Sequence, residues 1–182
     1  MVPKYLKELA SEFRLRGRGR FFDEHPASSV MIGVGILGVL NDRVRAGADG
    51  TFRFNIKDQQ DYFRSSVLVD RVWFIIKKPE NRTELRIVVG RTSQADVSIP
   101  ELSISAEHCA FEATPFGLRV VDLGSTNGTS VDGTLLRDGE GASLRSGSRI
   151  VIGRFEFEYL RHKDFVERLR WYGVSGGPSQ QA

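Results

Sequence analysis

Hydrophobic and polar positions follow two different periods along this 182-residue chain. Near the start, apolar residues recur at helical spacing opposite charged ones, which predicts a short amphipathic helix over 3–13. From residue 68 onward, short apolar runs alternate with Gly-containing turns about every ten residues, which predicts an antiparallel β-sandwich. The apolar helix positions are Tyr5, Leu6, Leu9, Ala10 and Phe13.

The predicted strands of the second part are short and numerous. They cover 72–78, 85–89, 96–99, 108–112, 118–121, 130–131, 142–144, 149–152 and 155–160. A C-terminal helix is predicted over 163–172, because Phe165, Val166, Leu169 and Tyr172 share one helical face. Residues 173–182 are rich in Gly, Ser, Pro and Gln, a composition typical of a flexible tail.

The first 67 residues have a mixed pattern. The segment Arg14–Arg20 alternates Arg with Gly and predicts a solvated linker. Val30–Leu40 is apolar and predicts a packed strand or helix, since its glycines lack the βαβ context of a dinucleotide fingerprint. Val44–Ile56 predicts a hairpin turning at Asp49-Gly50. We therefore expect a small α+β appendage over 1–67, a sandwich over 68–161, and a helix with a flexible tail over 162–182.

The composition of the chain argues against several classes of protein function. The chain has 26 Lys and Arg against 23 Asp and Glu, a net charge of +3, which argues against a large nucleic-acid interface. Cys109 is the single cysteine, so neither an intramolecular disulfide nor a Cys-based zinc site is expected. The start of the chain has no signal-peptide pattern, and Val30–Leu40 is too short to cross a bilayer. The sequence therefore predicts a soluble cytoplasmic protein without a membrane span, metal or cofactor.

The stretch Val121–Thr129, VDLGSTNGT, combines a strand end with a tight polar loop. Such a loop requires left-handed backbone at Gly124, Asn127 or Gly128. It presents hydroxyls, an amide and backbone N–H groups together, which suits an anion or an extended peptide. Two companion motifs lie upstream in the sequence, Gly90-Arg91 and a Ser105-x-x-His108 pair.

These three motifs, in this order, resemble those of the forkhead-associated (FHA) domain, a phosphothreonine-peptide binding module. The resemblance covers about residues 72–160. It implies a twisted sandwich of roughly eleven antiparallel strands with its peptide site in loops at one end. It also implies that Arg91, Ser105 and Thr126 bind phosphate and that Asn127 binds the main chain of the ligand.

The resemblance further implies a set of residues that shape the site. Gly90 would let the strand turn before Arg91, and His108 would brace the loop by hydrogen bonds. Asp122, Gly124 and Gly128 would shape the polar loop. A Ser105–His108 nucleophile pair is the enzymatic alternative, but neither an acidic orienting residue nor an oxyanion hole accompanies it in the sequence. We therefore expect a non-enzymatic protein.

Two features depart from the family pattern. Many members carry Arg, Lys or Asn directly after the loop Ser, where this chain has Ala106 followed by Glu107. Ser103 is also uncharged where some members place a basic residue that selects peptide sequence. The first departure predicts weaker phosphate binding, and the second leaves the preferred peptide sequence open.

The sequence favours a bacterial-style signalling adaptor that binds phosphothreonine peptides of Ser/Thr-kinase substrates, with Thr preferred over Ser because the family has a pocket for the γ-methyl group. One alternative keeps the fold without phosphate binding, as a structural assembly module. Another is an RNA or anionic-surface binder acting through Arg14–Arg20.

Overall fold

The computed structural model describes residues 3–37, 69–81 and 85–172. The predicted hairpin at 44–56 and the predicted tail at 173–182 lie outside the described residues. Within the described ranges, the chain forms short strands, two α-helices and a 3-10 turn at Pro79–Asn81. In chain order these elements are β1 Lys4–Tyr5, α1 Leu6–Glu24, β2 Ser29–Ile36, β3 Arg71–Phe74, β4 Ile87–Gly90, β5 Val97–Ser98, β6 Cys109–Thr114, β7 Gly117–Asp122, β8 Thr129–Val131, β9 Thr134–Leu135, β10 Gly141–Ser143, β11 Arg149–Ile152, β12 Phe155–Arg161 and α2 His162–Tyr172.

The strands form two sheets. One has seven strands in the order β1-β3-β2-β12-β11-β8-β9, and the other has five in the order β10-β7-β6-β4-β5. Apolar side chains from both sheets, including Trp73, Phe111 and Phe157, form a common buried core. This confirms the predicted sandwich. One strand pair differs from the antiparallel expectation, since β4 and β5 are parallel.

Strand β2 connects the first third of the chain to the sandwich. It lies between β3 and β12 and pairs with β12 from Ile36 opposite Phe155 to Ser29 opposite Arg161. An irregularity between Glu156 and Phe157 shifts the register of this pair. The N-terminal segment therefore contributes a hydrogen-bonded inner strand, whereas the division of the chain near residue 67 remains a prediction.

The two helices build a second core on the seven-stranded sheet. Leu6, Leu9 and Phe21 of α1 are buried in one cluster with residues of α2 and of strands β2, β3 and β12. Burial of this apolar surface anchors both helices to the sheet. The C-terminal helix agrees with its prediction, and the packing adds a helical layer to the two sheets.

Residues 14–20 are exposed to solvent, as predicted, but the predicted linker was wrong, because α1 continues through them to Glu24. Arg is a good helix former, and buried Phe13 and Phe21 hold the helix at both sides of this segment. Gly17 interrupts the helix with φ 73° and ψ 163°, so α1 consists of two helical pieces joined at a kink. Of the described residues, none forms a helix long and apolar enough to cross a membrane.

The sandwich has two ends, the loop end and the far end. The loop end contains Gly90, Ser105, the 123–128 loop and the β11–β12 turn at Gly153. The far end is where β12 finishes at Arg161 opposite Ser29 and where His162 N–H donates to the Ser28 carbonyl at 2.8 Å.

Candidate functional site

Three loops meet at the loop end. Arg91 follows β4, Ser105 precedes β6, and Thr126 lies between β7 and β8. The Arg91 N–H donates to the Ser105 carbonyl at 2.9 Å. The Ser105 hydroxyl donates to Thr126 Oγ1 at 3.3 Å and accepts from the Thr126 N–H at 3.1 Å. The structure thus brings together the three residues to which the resemblance assigns phosphate binding.

The Arg91 guanidinium has a defined orientation. Its Nε donates to the Ile104 carbonyl at 3.1 Å, and the side chain is half-buried beside the Ser105 loop. Because a guanidinium is planar, this bond fixes the plane in which its other N–H groups lie. Such a fixed, delocalised cation suits an oxyanion with several acceptor atoms.

Gly90 is the last residue of β4, and its carbonyl accepts from the Ile99 N–H at 2.9 Å. A Cβ at this position would lie 2.0 Å from the Ala106 carbonyl oxygen. Glycine is therefore required because the Ala106 backbone passes directly over the strand, which places the Ser105 loop against Arg91.

The Asp122 carboxylate stabilises the polar loop through hydrogen bonds. Its Oδ1 accepts from the Ser125 hydroxyl at 2.7 Å and from the Thr129 hydroxyl at 2.6 Å, and its Oδ2 accepts from the Ser125 N–H at 3.0 Å. Asp122 is buried. The sequence indicated a role for Asp122 but not for Ser125 or Thr129. The signal that could have found Ser125 is the Asp-x-x-Ser spacing, which is typical of a side-chain-capped turn.

Two glycines allow the loop to turn. Gly124 has φ 68° and Gly128 has φ 82°, which confirms the predicted left-handed backbone at these positions. Asn127 is not in that conformation. At Gly128 the backbone also passes close to a side chain, because a Cβ would lie 2.8 Å from Leu135 Cδ1. Leu135 is two-thirds exposed and borders the loop, a neighbour that the sequence did not indicate.

His108 joins the loops from within the core. Its Nδ1 accepts from the Ser105 N–H at 3.0 Å, and its Nε2 lies 3.0 Å from the Gly128 carbonyl. Burial lowers the pKa of His108, which has no exposed surface. The ring is therefore neutral, with its proton on Nε2 and donated to Gly128. The Gly153 nitrogen lies 3.2 Å from His108 Nε2 and 3.2 Å from the Gly128 carbonyl oxygen. The β11–β12 turn therefore contacts the same pair of residues.

The contact between Ser105 and His108 does not match a nucleophile and its base. The imidazole accepts from the backbone N–H of Ser105, while the Ser105 hydroxyl bonds Thr126. His108 therefore positions the main chain of the loop and leaves the hydroxyl un-ionised. In the part of the chain that the structure describes, no cluster of His, Cys, Asp and Glu could hold a metal ion.

Asn127 links the polar loop to the segment before Ser105. Its Nδ2 donates to the Ser103 carbonyl at 2.8 Å. Ser103 is buried, and its hydroxyl has no hydrogen-bond partner among the described residues. Ala106 is half-buried and Glu107 is exposed on the same loop, so an acidic side chain lies next to the predicted phosphate site.

Comparison with known proteins gives an independent result. Residues 87–153 match the family model of the FHA domain. The chain is 30% identical over 100 residues to the probable serine/threonine-protein kinase fhkA of Dictyostelium discoideum, covering 48% of this chain and 17% of that protein. It is 30% identical over 89 residues to the glycogen accumulation regulator GarA of Mycobacterium tuberculosis, covering 49% of this chain and 51% of that protein.

Among solved structures, the chain is similar to the FHA domain of a hypothetical protein from Arabidopsis thaliana. It superposes with a TM-score of 0.45 at 18% identity, over 74% of this chain and 86% of that chain. The chain spans about half or less of the length of the two curated relatives.

Proposed function

We propose that this chain, which carries an FHA domain over residues 87–153, is a phosphothreonine-dependent adaptor that binds phosphorylated proteins in Ser/Thr-kinase signalling. The observation that carries the proposal is the convergence of Arg91, Ser105 and Thr126 on one surface of the loop end. A phosphothreonine brings nearly two negative charges and three acceptor oxygens. A cation and two hydroxyls held on separate loops offer the donors that such a group requires.

The resemblance to the FHA family implies a role for each of these residues, and their contacts support these roles. Arg91 supplies the positive charge that compensates the phosphate. Ser105 and Thr126 exchange their mutual hydrogen bond for bonds to phosphate oxygens, so binding leaves no hydroxyl unsatisfied. Asn127, anchored at the Ser103 carbonyl, bonds the main chain beside the phosphothreonine.

The affinity expected for such a site is moderate. Each charge-assisted hydrogen bond contributes roughly 1.5–3 kcal/mol. Ordering a flexible peptide offsets part of this sum, which leaves a dissociation constant on the order of micromolar. The exposed Glu107 and the missing cation at Ala106 weaken phosphate binding further.

The bracing residues support a preorganised site. His108 and Asp122 hold the Ser105 loop and the 123–128 loop through bonds that do not involve the phosphate-facing hydroxyls of Ser105 and Thr126. A site that is already ordered loses little further entropy when the ligand binds. The signalling context is supported by the family match and by the relatives named a kinase and a regulator.

The experiment that tests this function is a titration of the full chain with a phosphothreonine peptide library and with its unphosphorylated copy. Wild type should bind only the phosphorylated peptides, and Arg91→Ala should lose most of that binding. Arg137→Ala, which removes an exposed Arg outside the three loops, is the matched control. Binding that ignores phosphate would support an assembly module instead.

A further inference from the structure

Residues 14–20 form a protrusion at which α1 leaves the body of the protein. All seven positions are exposed, whereas Phe13 and Phe21 at the two sides are buried. The rings of Phe13 and Phe21 contact each other edge to face, with centroids 5.4 Å apart. This aromatic pair closes the base of the protrusion, and Gly17 provides the kink. We call residues 14–20 the arginine elbow.

The arginine elbow concentrates positive charge without an acidic residue in its sequence. Its four arginines are Arg14, Arg16, Arg18 and Arg20. Arg16 pairs with Glu24. Neither Arg18 nor Arg20 pairs with a carboxylate within the described ranges 3–37, 69–81 and 85–172. Like charges this close repel one another, so the elbow favours an anionic partner.

An exposed apolar side chain lies among these arginines. Leu15 is 87% exposed and contributes nothing to the helical core that Leu6, Leu9 and Phe13 build. The elbow therefore combines guanidinium groups with an aliphatic side chain. That combination suits an interface where phosphate groups lie beside hydrocarbon.

The far end carries a second group of the same kind. Phe22, just after the elbow, contacts the His162 ring with centroids 4.2 Å apart. The neighbouring Arg161 donates to the Phe116 carbonyl at 3.0 Å, and the Phe116 side chain is 89% exposed. Lys163 is exposed beside them. A continuous series of contacts thus connects the elbow to another exposed apolar residue with basic neighbours.

We propose that the far end docks on an anionic phospholipid bilayer. The arginine elbow binds lipid phosphates, and Leu15 and Phe116 enter the boundary between headgroups and acyl chains. RNA is a weaker match for the arginine elbow itself. Single-stranded nucleic acid binds through aromatic side chains on which bases stack, whereas the exposed apolar residue of the elbow is aliphatic.

This docking would orient the phosphopeptide site. The loop end lies at the opposite end of the sandwich from Arg161 and Ser29. Contact of the far end with a bilayer therefore directs Arg91 and Thr126 away from the membrane, toward partners in the aqueous phase. The association is peripheral and reversible, since it depends on surface charge and two side chains.

The test uses co-sedimentation of the full chain with phosphatidylcholine vesicles that contain or lack phosphatidylserine. Wild type should bind the anionic vesicles alone, and added salt should weaken the binding. Arg18→Glu/Arg20→Glu should lower the partition coefficient by more than about 30-fold, because loss of the two cations alone accounts for that factor and the anionic lipids also repel the two new carboxylates. The matched control Lys7→Glu/Arg137→Glu makes the same charge change at exposed positions outside the far end and should retain most of the binding. Arg18→Gln/Arg20→Gln should also lower the partition coefficient, although it removes the two positive charges without reversing them.

A separate variant examines the apolar contact. Leu15→Ser leaves the charge unchanged and should reduce vesicle binding several-fold at every salt concentration. Circular dichroism confirms that each variant is folded. Binding that does not depend on phosphatidylserine, or equal losses in the elbow variant and its control, would overturn the proposal. Tight binding of single-stranded RNA without vesicle binding would also overturn it and would assign the elbow to nucleic acid.

Discussion

The Ser105 hydroxyl lies 3.3 Å from the Thr126 hydroxyl and accepts a hydrogen bond from the Thr126 N–H at 3.1 Å. Two loops that are 21 residues apart in sequence therefore meet through the groups assigned to phosphate. Because the two residues are in contact, the effects of substituting them on ligand affinity should not be additive.

The first prediction follows from this pair. Ser105→Ala and Thr126→Ala should each reduce affinity for a phosphothreonine peptide by about tenfold, because each removes a charge-assisted hydrogen bond. The double variant should differ from the sum of the two by about 0.5 kcal/mol or more. Isothermal titration calorimetry measures the cycle, with Ser143→Ala, an exposed serine on β10, as the control. Unchanged affinity in both single variants would remove these hydroxyls from the site.

The second prediction concerns Gly90. Gly90→Ala places a Cβ 2.0 Å from the Ala106 carbonyl oxygen, so the Ser105 loop must move away from β4. We expect a loss of about 2–3 kcal/mol in the free energy of unfolding, together with weaker phosphopeptide binding. Chemical denaturation measures the first effect. Gly19→Ala is the matched control, because a Cβ there meets nothing within 4 Å and the helix should gain up to about 1 kcal/mol. Equal stability of the two variants would contradict the close approach between Gly90 and the Ala106 carbonyl oxygen.

The third prediction is a pH dependence that originates at His108. Burial lowers its pKa in the folded protein, so the unfolded chain binds more protons below its ordinary value of about 6.5. The stability contribution of neutral His108 is thus complete above that pH and is lost as the pH falls through the lowered folded pKa. His25 acts in the same direction, since burial also lowers its pKa.

Denaturation of wild type and His108→Asn at several pH values separates the two histidines. The variant should be less stable at neutral pH, because the hydrogen bonds to Ser105 and Gly128 are lost or altered. It should also show a smaller decrease in stability on acidification, while His25→Asn isolates the other contribution. An acid dependence identical to that of wild type would show that His108 is not held neutral.

The fourth prediction concerns the weakened phosphate site. Ala106 directly follows Ser105 and is half-buried, so Ala106→Arg adds a cation on the same loop. Phosphothreonine affinity should increase by about fivefold to tenfold, which corresponds to one added charge-assisted bond in a partly exposed position. Ser28→Arg adds the same charge at the far end and should leave the affinity unchanged. An equal gain in both variants would indicate a general charge effect.

The fifth prediction addresses Asp96, which supports the core beside β4. Burial alone would raise the pKa of Asp96, but hydrogen bonds from Lys77 Nζ and from the Lys78 and Val88 N–H groups outweigh it and lower the pKa. Asp96→Ala removes the acceptor of the buried Val88 N–H and of the Lys78 N–H, and it should reduce the free energy of unfolding by about 3 kcal/mol. The exposed Asp138→Ala is the control. A loss below about 1 kcal/mol would contradict the role of this carboxylate.

The strands of the sandwich were predictable because local apolar runs and Gly-containing turns determine where each strand begins and ends. Val72, Val89 and Val120 lie in short apolar segments, and each is buried where the alternation requires it. The order of the three motifs likewise placed Arg91, Ser105 and Thr126 at strand ends, which a sandwich gathers at one end. The sequence could therefore indicate which loops meet, although not the bonds that join them.

Long-range packing accounts for what the sequence did not predict. The Gly-rich β2 could be strand or helix by its pattern, and its pairing with β12 depends on residues more than a hundred positions away. The continuation of α1 through Arg14–Arg20 depends on the contact between Phe13 and Phe21. The hydrogen bonds of Asp96 and the lack of room for a side chain at Gly90 both depend on residues that are distant in sequence. A local sequence pattern therefore cannot predict them.

A phosphothreonine site at the loop end is tested most directly by a two-dimensional ¹H–¹⁵N NMR titration of the full chain with one phosphothreonine peptide and its unphosphorylated copy. We expect phosphate-dependent shifts of the Arg91, Ser105, Thr126 and Asn127 amides, with little change in the arginine elbow. The Arg91→Ala variant should lose these shifts while its remaining spectrum stays that of a folded protein. Shifts that are the same for both peptides, or that appear only outside the three loops, would contradict a phosphothreonine site at the loop end.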